Sequence, residues 1–416
     1  MKIDVTPRHS LMDEKLRILV SGLEPGQPVT LRARIEELDI ESSAVFVPDT
    51  DGNVDPGQQA PIAGSYDWVH QMGLLWTLRP KEQAGAPVGG LAFSSETLSI
   101  VFSAEQRGET ASMTIERVWL RQGVRRFAID EDGLHGVLFM PPGPGPFAGV
   151  MTLTGSGGGV NERSAALLAN QGYATLALAY FAYPGRPDSL VEIELEYFEK
   201  GLEWLGAKAQ VDAGRLAVMG GSRGGELSLV LASMFSNIKA LVAFVPSHLR
   251  WGGFDSSGSP NAPAWTYRGT ALPYVRHQAE VDYDAVYGDA AIPLTPEFLS
   301  AMEEGESVQE AVIEVEKANS AMLLISGDDD QMWPSALFSR RAMARLREKQ
   351  FPHPYEHVEY AGAGHAILMP FVPLPPSEIV HPVDGRLYAL GGTPQAQAHA
   401  IEDSWQRVLV FLNAYL

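Results

Sequence analysis

The chain has 416 residues with 51 acidic and 31 basic side chains, a formal net charge of −20 and no cysteine. The acidic balance argues against a nucleic acid or an anionic membrane as partner, and the lack of cysteine excludes disulfides, a thiolate metal site and a cysteine nucleophile. The N-terminal sequence has no apolar core of signal-peptide type, and no apolar run approaches the ~18 residues of a membrane span. We therefore expect a cytoplasmic protein without a transmembrane segment.

Residues 1–135 consist of short alternating segments that are separated by Gly, Pro and Asp. Many short strands with such punctuation are typical of an all-β sandwich. The sequence therefore predicts an N-terminal β-sandwich domain over residues 1–135. The predicted strands in this part are 16–20, 29–35, 44–47, 98–102 and 113–118.

The pattern changes at the Pro- and Gly-rich stretch 141–146, after which short apolar strands alternate with helices. This alternation predicts a mostly parallel sheet that helices cover on both faces. We therefore predict a doubly wound α/β domain over residues 136–416. Its predicted strands are 148–154, 174–179, 216–219, 240–245, 321–326 and 355–360, and its predicted helices are 164–171, 193–205, 225–234, 335–350 and 396–415.

The stretch Gly220-Gly221-Ser222-Arg223-Gly224 fits the pattern G-x-S-x-G between a predicted strand and a predicted helix. A strand that turns sharply into a helix at a serine is a nucleophile elbow, and small neighbours are needed because the turn is strained. We predict that Ser222 is the nucleophile and that the amide of Arg223 points at a developing oxyanion. The alternative is a Gly-rich turn that only packs a helix on a sheet.

A serine nucleophile needs a base, and the base needs an orienting acid; hydrolases of this type have them in the order Ser, Asp or Glu, His. Two strand ends downstream fit that order. The strand 321–326 runs into three consecutive aspartates, and the next predicted strand runs into His365. We predict a triad of Ser222, Asp330 and His365, with Asp329 as second choice, because the usual acid turn places the carboxylate three residues after the glycine. The alternatives are a solvated acidic turn and a loop histidine without a role.

The Gly-rich loop 154–159 follows an earlier strand and predicts the second oxyanion donor, the amide of Ser156 or Gly157. A phosphate-cradling loop is the rival interpretation, but the Gly-Lys-Ser/Thr ending is missing. We predict no cofactor and no metal site. His248 and His277 follow a core strand and are candidates to line the pocket. The histidines without a partnering motif are His353, His357, His381 and His399.

With elbow, acid and histidine assigned, the chain resembles the acyl-CoA thioesterase / bile acid-CoA:amino acid N-acyltransferase family over nearly its whole length. The resemblance implies an immunoglobulin-like β-sandwich fused to an α/β-hydrolase. It also implies the same triad and cleavage of an acyl-CoA thioester through an acyl-serine. The strings that carry it are residues 13–14, 23–32, 64–66, 72–76, 142–147, 157–159, 177–180, 195–198, 221–227, 327–333, 364–365, 391–394 and 405.

Two features set the chain apart within that resemblance. Members that pass the acyl group to an amino acid typically have cysteine at the elbow, so Ser222 favours water as acceptor. The 330 − 222 = 108 residues from Ser222 to Asp330 exceed the family's spacing, and the extra length lies around 251–265, where segments can form a lid over the pocket. Arginines on the expected rim are candidates for the CoA phosphates, namely Arg163, Arg223, Arg250, Arg268 and Arg276. The residues that we predict to bind substrate are Arg250, Trp251 and Arg268.

The sequence thus predicts hydrolysis of acyl-CoA thioesters to a free acid and CoA. Three alternatives stay open at this point. The first is an acyltransferase or cyclase that passes the acyl group to an amine or hydroxyl. The second is an esterase or peptidase on a substrate without CoA, because a triad does not specify the leaving group. The third is a binding protein on a hydrolase fold, against which the complete set of Ser, Asp and His argues.

Overall fold

The computed structural model describes residues 1–80, 93–94, 96–258, 261–276, 282–303, 306–367 and 369–416. The chain forms two compact units. The first unit comprises residues 1–121 with 369–376, and the second comprises 122–368 with 377–416. No helix among the described residues is both long enough and apolar enough to cross a membrane.

Among its described residues, the first unit is built from strands, apart from a one-turn helix α1 (Gly73–Trp76) and a 3-10 turn (Glu36–Leu38). Strands β4 and β5 bury every second residue, as expected of strands with one face on a core. One sheet pairs β1 with β3, and the other has the order β2-β9-β8-β4-β5-β6 with β7 beside β5. The strands are β1 (Lys2–Thr6), β2 (His9–Leu11), β3 (Arg17–Ser21), β4 (Val29–Ile35), β5 (Ile40–Phe46), β6 (Ala63–Gly64), β7 (Arg79–Pro80), β8 (Leu98–Gln106) and β9 (Glu109–Val118).

The second unit alternates strands and helices. Its strands are β10 (Arg125–Glu131), β11 (Leu134–Met140), β12 (Phe147–Leu153), β13 (Ala174–Ala179), β14 (Ile193–Glu194), β15 (Val211–Gly221), β16 (Ile238–Phe244), β17 (Trp265–Tyr267), β18 (Thr270–Ala271), β19 (Ala321–Gly327), β20 (Tyr355–Tyr360), β21 (Glu378–Val380) and β22 (Leu387–Ala389). Its helices are α2 (Glu162–Asn170), α3 (Leu195–Gly206), α4 (Arg223–Met234), α5 (Tyr283–Tyr287), α6 (Thr295–Ala301), α7 (Glu306–Ala311), α8 (Ser335–Glu348) and α9 (Pro394–Tyr415), with a 3-10 turn at Val315–Lys317.

In the part of the second unit that the structure describes, the main sheet has eight strands in the order β10-β11-β13-β12-β15-β16-β19-β20. The hairpin β10–β11 and its pairing with β13 are antiparallel, and the other neighbours are parallel. Strands β12, β13, β16 and β19 are buried almost without interruption, which is typical of a parallel sheet covered on both faces. The carboxyl ends of β12, β15, β19 and β20 therefore lie along one edge, where such sheets bind ligands.

The boundary between the units lies at residue 121, earlier than the predicted residue 135. The reason is the hairpin β10–β11, which sequence analysis assigned in part to the β-sandwich and which pairs with β13 in the main sheet. Strand β10 is exposed at all but one residue, so its sequence lacks the apolar signal of a core strand. Residues 369–376 also belong to the first unit, although they lie far along the chain.

Candidate active site

Ser222 occupies the turn between β15, which ends at Gly221, and α4, which begins at Arg223. Its backbone has φ 56° and ψ −122°, a conformation that non-glycine residues rarely adopt. The Ser222 amide donates to Phe244 O at 2.9 Å and thereby fixes the turn to β16. A Cβ at Gly220 would lie 2.2 Å from Gly224 O, so this position accepts only glycine. The strained backbone and the close approach are those of a nucleophile elbow.

Asp330 is buried in the turn that follows β19. Its Oδ1 accepts hydrogen bonds from the amides of Met332 and Trp333 at 3.0 and 3.2 Å. Its Oδ2 accepts from Ser335 Oγ at 2.6 Å. Three donors from the turn and the start of α8 therefore hold the carboxylate in one orientation.

His365 follows β20 and faces that carboxylate. Its Nδ1 lies 2.9 Å from Asp330 Oδ2 and 3.0 Å from Asp330 Oδ1. Because an ionised carboxylate only accepts, Nδ1 donates, and the lone pair of the neutral ring is on Nε2. The amide of His365 donates to Leu390 O at 2.8 Å. In the described part of the chain no hydrogen bond joins Ser222 to His365; catalytic hydrogen bonds commonly tighten only when substrate is bound.

The other two aspartates of the triplet hold the loops around the histidine. Asp328 Oδ1 accepts from the Gly362 amide at 2.6 Å, and Asp329 Oδ2 accepts from the Gly392 amide at 2.9 Å. Asp330, the first choice from the sequence, is the member of the triplet that contacts His365, and the second choice, Asp329, contacts a different loop.

The Gly-rich loop after β12 lies beside Ser222. A Cβ at Gly155 would be 3.2 Å from Ser222 Cβ. Tyr180 Oη donates to Thr154 O at 2.7 Å, and burial raises the pKa of this phenol, so the donor stays protonated. Gly157 packs against Pro382, since a Cβ there would lie 3.3 Å from Pro382 Cγ. The loop is therefore held on both sides next to Ser222.

A cavity of about 60 Å³ opens at Ser222. Such a volume holds only a few water molecules. Aromatic and aliphatic side chains form much of its wall, and a smaller polar group shares it. The apolar side chains are Trp251, Phe254, Leu294, Phe298, Met332 and Trp333, and the polar ones are Ser156, Ser222, Arg223, His381 and Tyr388.

A buried ion pair connects helix α4 to the segment that follows β16. Arg223 Nη1 lies 3.0 Å from Glu226 Oε2, and the Glu226 side chain is 0% exposed. Arg223 Nη2 donates to the carbonyls of Trp251 and Gly252, each at 3.0 Å. Glu226 Oε1 accepts from Trp265 Nε1 at 2.8 Å. Burial raises the pKa of Glu226 and lowers that of Arg223, so each charge depends on the other.

Of the three residues predicted to bind substrate, one lines the cavity and two do not. Trp251 lines the cavity, whereas Arg250 and Arg268 are not among its lining residues. Arg250 donates through Nε to Pro273 O at 2.8 Å, through Nη1 to Val312 O at 3.3 Å and through Nη2 to Glu310 O at 2.5 Å.

Arg268 is exposed, and its guanidinium lies 5.1 Å from the centre of the Tyr267 ring. His248, a predicted pocket residue, is buried beside Phe338 with ring centres 5.4 Å apart and does not line the cavity. The second such candidate, His277, lies outside the described residues.

Three residues of the site were not predicted. His381, which the sequence gave no partner, lies 2.8 Å from Ser156 Oγ through its Nε2. Tyr388 lines the same cavity, and Glu226 is the buried acid of α4. A signal for Glu226 existed, because a lone carboxylate in an apolar helix needs a partner. The Ser156–His381 pair is separated by 225 residues, beyond any local spacing rule.

Comparisons with known proteins give the family. Residues 193–416 match the family described as BAAT / Acyl-CoA thioester hydrolase C terminal, and residues 13–131 match Acyl-CoA thioester hydrolase/BAAT N-terminal region. The chain belongs to the acyl-CoA thioester hydrolase/BAAT family. It is 33% identical to human acyl-coenzyme A thioesterase 1, over 97% of this chain and 94% of the relative. It is 31% identical to mouse acyl-coenzyme A amino acid N-acyltransferase 1, over 100% of this chain and 98% of the relative.

The family assignment confirms three predictions from the sequence: the family itself, the α/β-hydrolase fold and a hydrolase-type enzyme. Solved structures of low similarity include a dienelactone hydrolase-like phosphotriesterase from metagenomic libraries, with TM-score 0.42, 17% identity and coverage of 70% of this chain and 99% of that one. Another is an acylaminoacyl peptidase of Pyrococcus horikoshii, with TM-score 0.45, 12% identity and coverage of 79% of this chain and 49% of that one.

Proposed function

We propose that this chain hydrolyses acyl-CoA thioesters to a free acid and CoA through an acyl intermediate on Ser222. The observation that carries the proposal is the strained elbow conformation of Ser222, at φ 56°, beside a cavity. The hydrogen-bonded pair of His365 and Asp330 follows two other strands of the same sheet edge. Membership of the family supplies the thioester substrate class.

In the proposed cycle, His365 Nε2 takes the Ser222 proton as the oxygen attacks the thioester carbonyl. Asp330 holds the Nδ1–H tautomer and stabilises the imidazolium. The amides of Arg223 and of Ser156 or Gly157 bind the oxyanion; the first amides of α4 have no acceptor within their own helix. CoA thiolate leaves, and water activated by His365 then frees the acid and restores Ser222.

The first test is release of free CoA from a panel that comprises acetyl-CoA, succinyl-CoA, decanoyl-CoA and palmitoyl-CoA, followed with a thiol reagent. The protein has no cysteine and adds no background to this assay. We expect release that falls about 10⁴-fold or more in Ser222→Ala. Ser228→Ala, which removes a buried serine hydroxyl from the same helix, is the matched control and should keep the rate. A Ser222→Ala variant with near-normal turnover would exclude the mechanism.

A second candidate function is transfer of the acyl group to an amino acid, because one relative of 31% identity is named an N-acyltransferase. Product analysis of the same reaction with glycine or taurine present separates the two. Hydrolysis yields only the free acid, whereas transfer yields an N-acyl product that grows with acceptor concentration. We also propose the cytoplasm as the compartment of this protein. Cell fractionation is the test, and it is needed because other relatives are named mitochondrial or peroxisomal.

A further inference from the structure

A second serine–histidine pair lines the cavity that contains Ser222. Ser156 Oγ lies 2.8 Å from His381 Nε2, and both side chains belong to the cavity wall. His381 is 6% exposed and packs edge-on against Phe254, with ring centres 4.7 Å apart. The pair is thus a part-buried feature of the site, and its two side chains have no role in the cycle described above.

The direction of this hydrogen bond follows from the other nitrogen of the ring. The Val383 amide donates to His381 Nδ1 at 3.3 Å, so Nδ1 is the acceptor and the hydrogen of the neutral ring is on Nε2. Burial lowers the pKa of His381 and favours this neutral form. His381 therefore donates to Ser156 Oγ and does not accept its proton, which excludes Ser156 as a second activated nucleophile.

The nearby carboxylate does not change this assignment. Asp384 Oδ1 lies 3.7 Å from His381 Nδ1, too far for a hydrogen bond. The carboxylate instead accepts from Tyr388 Oη at 2.6 Å and from the Arg386 amide at 3.2 Å. A serine, histidine and aspartate occur here together, but without the proton path of a triad.

A serine hydroxyl has one hydrogen to donate and two lone pairs. Since Ser156 Oγ accepts from His381, its own hydrogen is left to donate to another group. The adjacent residue, Gly155, lies against the nucleophile, with a Cβ there 3.8 Å from Ser222 Oγ. The Ser156 hydroxyl is therefore a donor on the loop that borders the attacked carbonyl.

We propose that the Ser156 hydroxyl donates a hydrogen bond to the thioester oxygen as it becomes an oxyanion, with His381 as the residue that positions this hydroxyl. The inference rests on the proposed function, because it requires attack by Ser222. No bond is formed or broken at Ser156. The hydroxyl acts as a preorganised dipole in a partly buried site, where such a donor lowers the barrier more than it would in water.

The test compares Ser156→Ala, Ser156→Thr and His381→Phe with the wild type, using p-nitrophenyl acetate and decanoyl-CoA as probes. Ser156→Ala should lower kcat on the order of 10²-fold, as loss of one oxyanion donor does, with KM and Tm unchanged. Ser156→Thr should restore a large part of the rate because it keeps a hydroxyl. His381→Phe should lower kcat about tenfold.

The matched control is Ser326→Ala. Ser326 Oγ lies 2.7 Å from His357 Nε2, a part-buried serine–histidine pair that does not line the cavity. This variant should keep kcat within about twofold. Equal kcat for Ser156→Ala and wild type would overturn the inference, and so would a loss accompanied by a fall in Tm that threonine does not reverse. A wild type that hydrolyses neither probe and resists a fluorophosphonate would remove the proposed function, and the inference with it.

Discussion

Replacement of Glu226 by glutamine tests the buried ion pair that holds the segment after β16 on the elbow helix. Glutamine keeps the volume, and its Oε1 can still accept from Trp265 Nε1. It removes the negative charge 3.0 Å from Arg223 Nη1, where the two side chains are 9% and 0% exposed. A buried charge that loses its partner costs about 3–5 kcal/mol of the free energy of unfolding. At about 2–4 °C per kcal/mol, Tm should fall by about 10 °C.

The matched control is Glu316→Gln, since Glu316 forms a bidentate pair with Arg345 whose side chains are 17% and 29% exposed. A partly exposed pair contributes less, so this loss should stay near 1 kcal/mol or about 3 °C. The double variant Arg223→Met with Glu226→Leu removes both charges and should recover only part of the loss, because the indole N–H of Trp265 and the carbonyls of Trp251 and Gly252 then lose their partners. Thermal unfolding followed by circular dichroism measures all four proteins. Equal Tm values for Glu226→Gln and Glu316→Gln would refute the reasoning.

Three further predictions follow from the site and its surroundings. Asp330→Asn should lower kcat about 10⁴-fold with little change in KM, because the variant no longer holds His365 in its Nδ1–H tautomer. Asp329→Asn is the control and should keep most of the rate. CoA release measures both variants. Burial lowers the pKa of His248 to about 3. The imidazole therefore stays neutral in the folded protein, whereas in the unfolded chain it takes up a proton below pH 6.5. The free energy of unfolding therefore falls as pH falls, and this residue contributes about 2 kcal/mol of that loss at pH 5. His248→Phe should reduce the drop in Tm between pH 7.5 and 5. An equal drop in the variant and the wild type would contradict the assignment. Phe298→Ala should enlarge the cavity and shift the kcat/KM preference toward longer acyl-CoAs, and an unchanged profile across the panel would argue that this ring does not bound the acyl group.

Sequence patterns predicted much of the fold, because the type and the bounds of many strands and helices are determined by residues that are neighbours in the chain. The strands 29–35, 174–179 and 355–360 have the bounds that their apolar patterns predicted. The elbow at Ser222 was predictable for the same reason, since strand, glycines and helix are contiguous. Strand β10 was missed because a mostly exposed strand at a sheet edge carries no apolar periodicity.

The electrostatic environment of the site was not predictable from the sequence, because it depends on contacts between residues that are far apart in the chain. Arg250 was a reasonable candidate for the CoA phosphates, but carbonyl oxygens of three distant residues accept from its guanidinium. The contact of His381 with Ser156 was not predictable, because 225 residues separate the two in the chain. The residue types of the predicted triad and their order along the chain are thus readable from sequence, whereas the partner of each polar group depends on the fold. The roles of the site residues stay predictions until the variants are measured.

The division of the first unit between two parts of the chain bears on how this unit forms during synthesis. Buried Arg117 donates to Leu11 O and Met12 O at 2.8 and 2.6 Å, and to Phe371 O at 3.1 Å across a separation of 254 residues. At about 5–20 residues per second, a ribosome needs on the order of 10–50 s to add that stretch. During this interval the nascent β-rich unit lacks one acceptor for a buried cation and the Phe371 ring that packs on Trp76. A fragment cut at residue 121 would stay in that incomplete state, so this unit is not a module that can be moved to another protein by simple truncation.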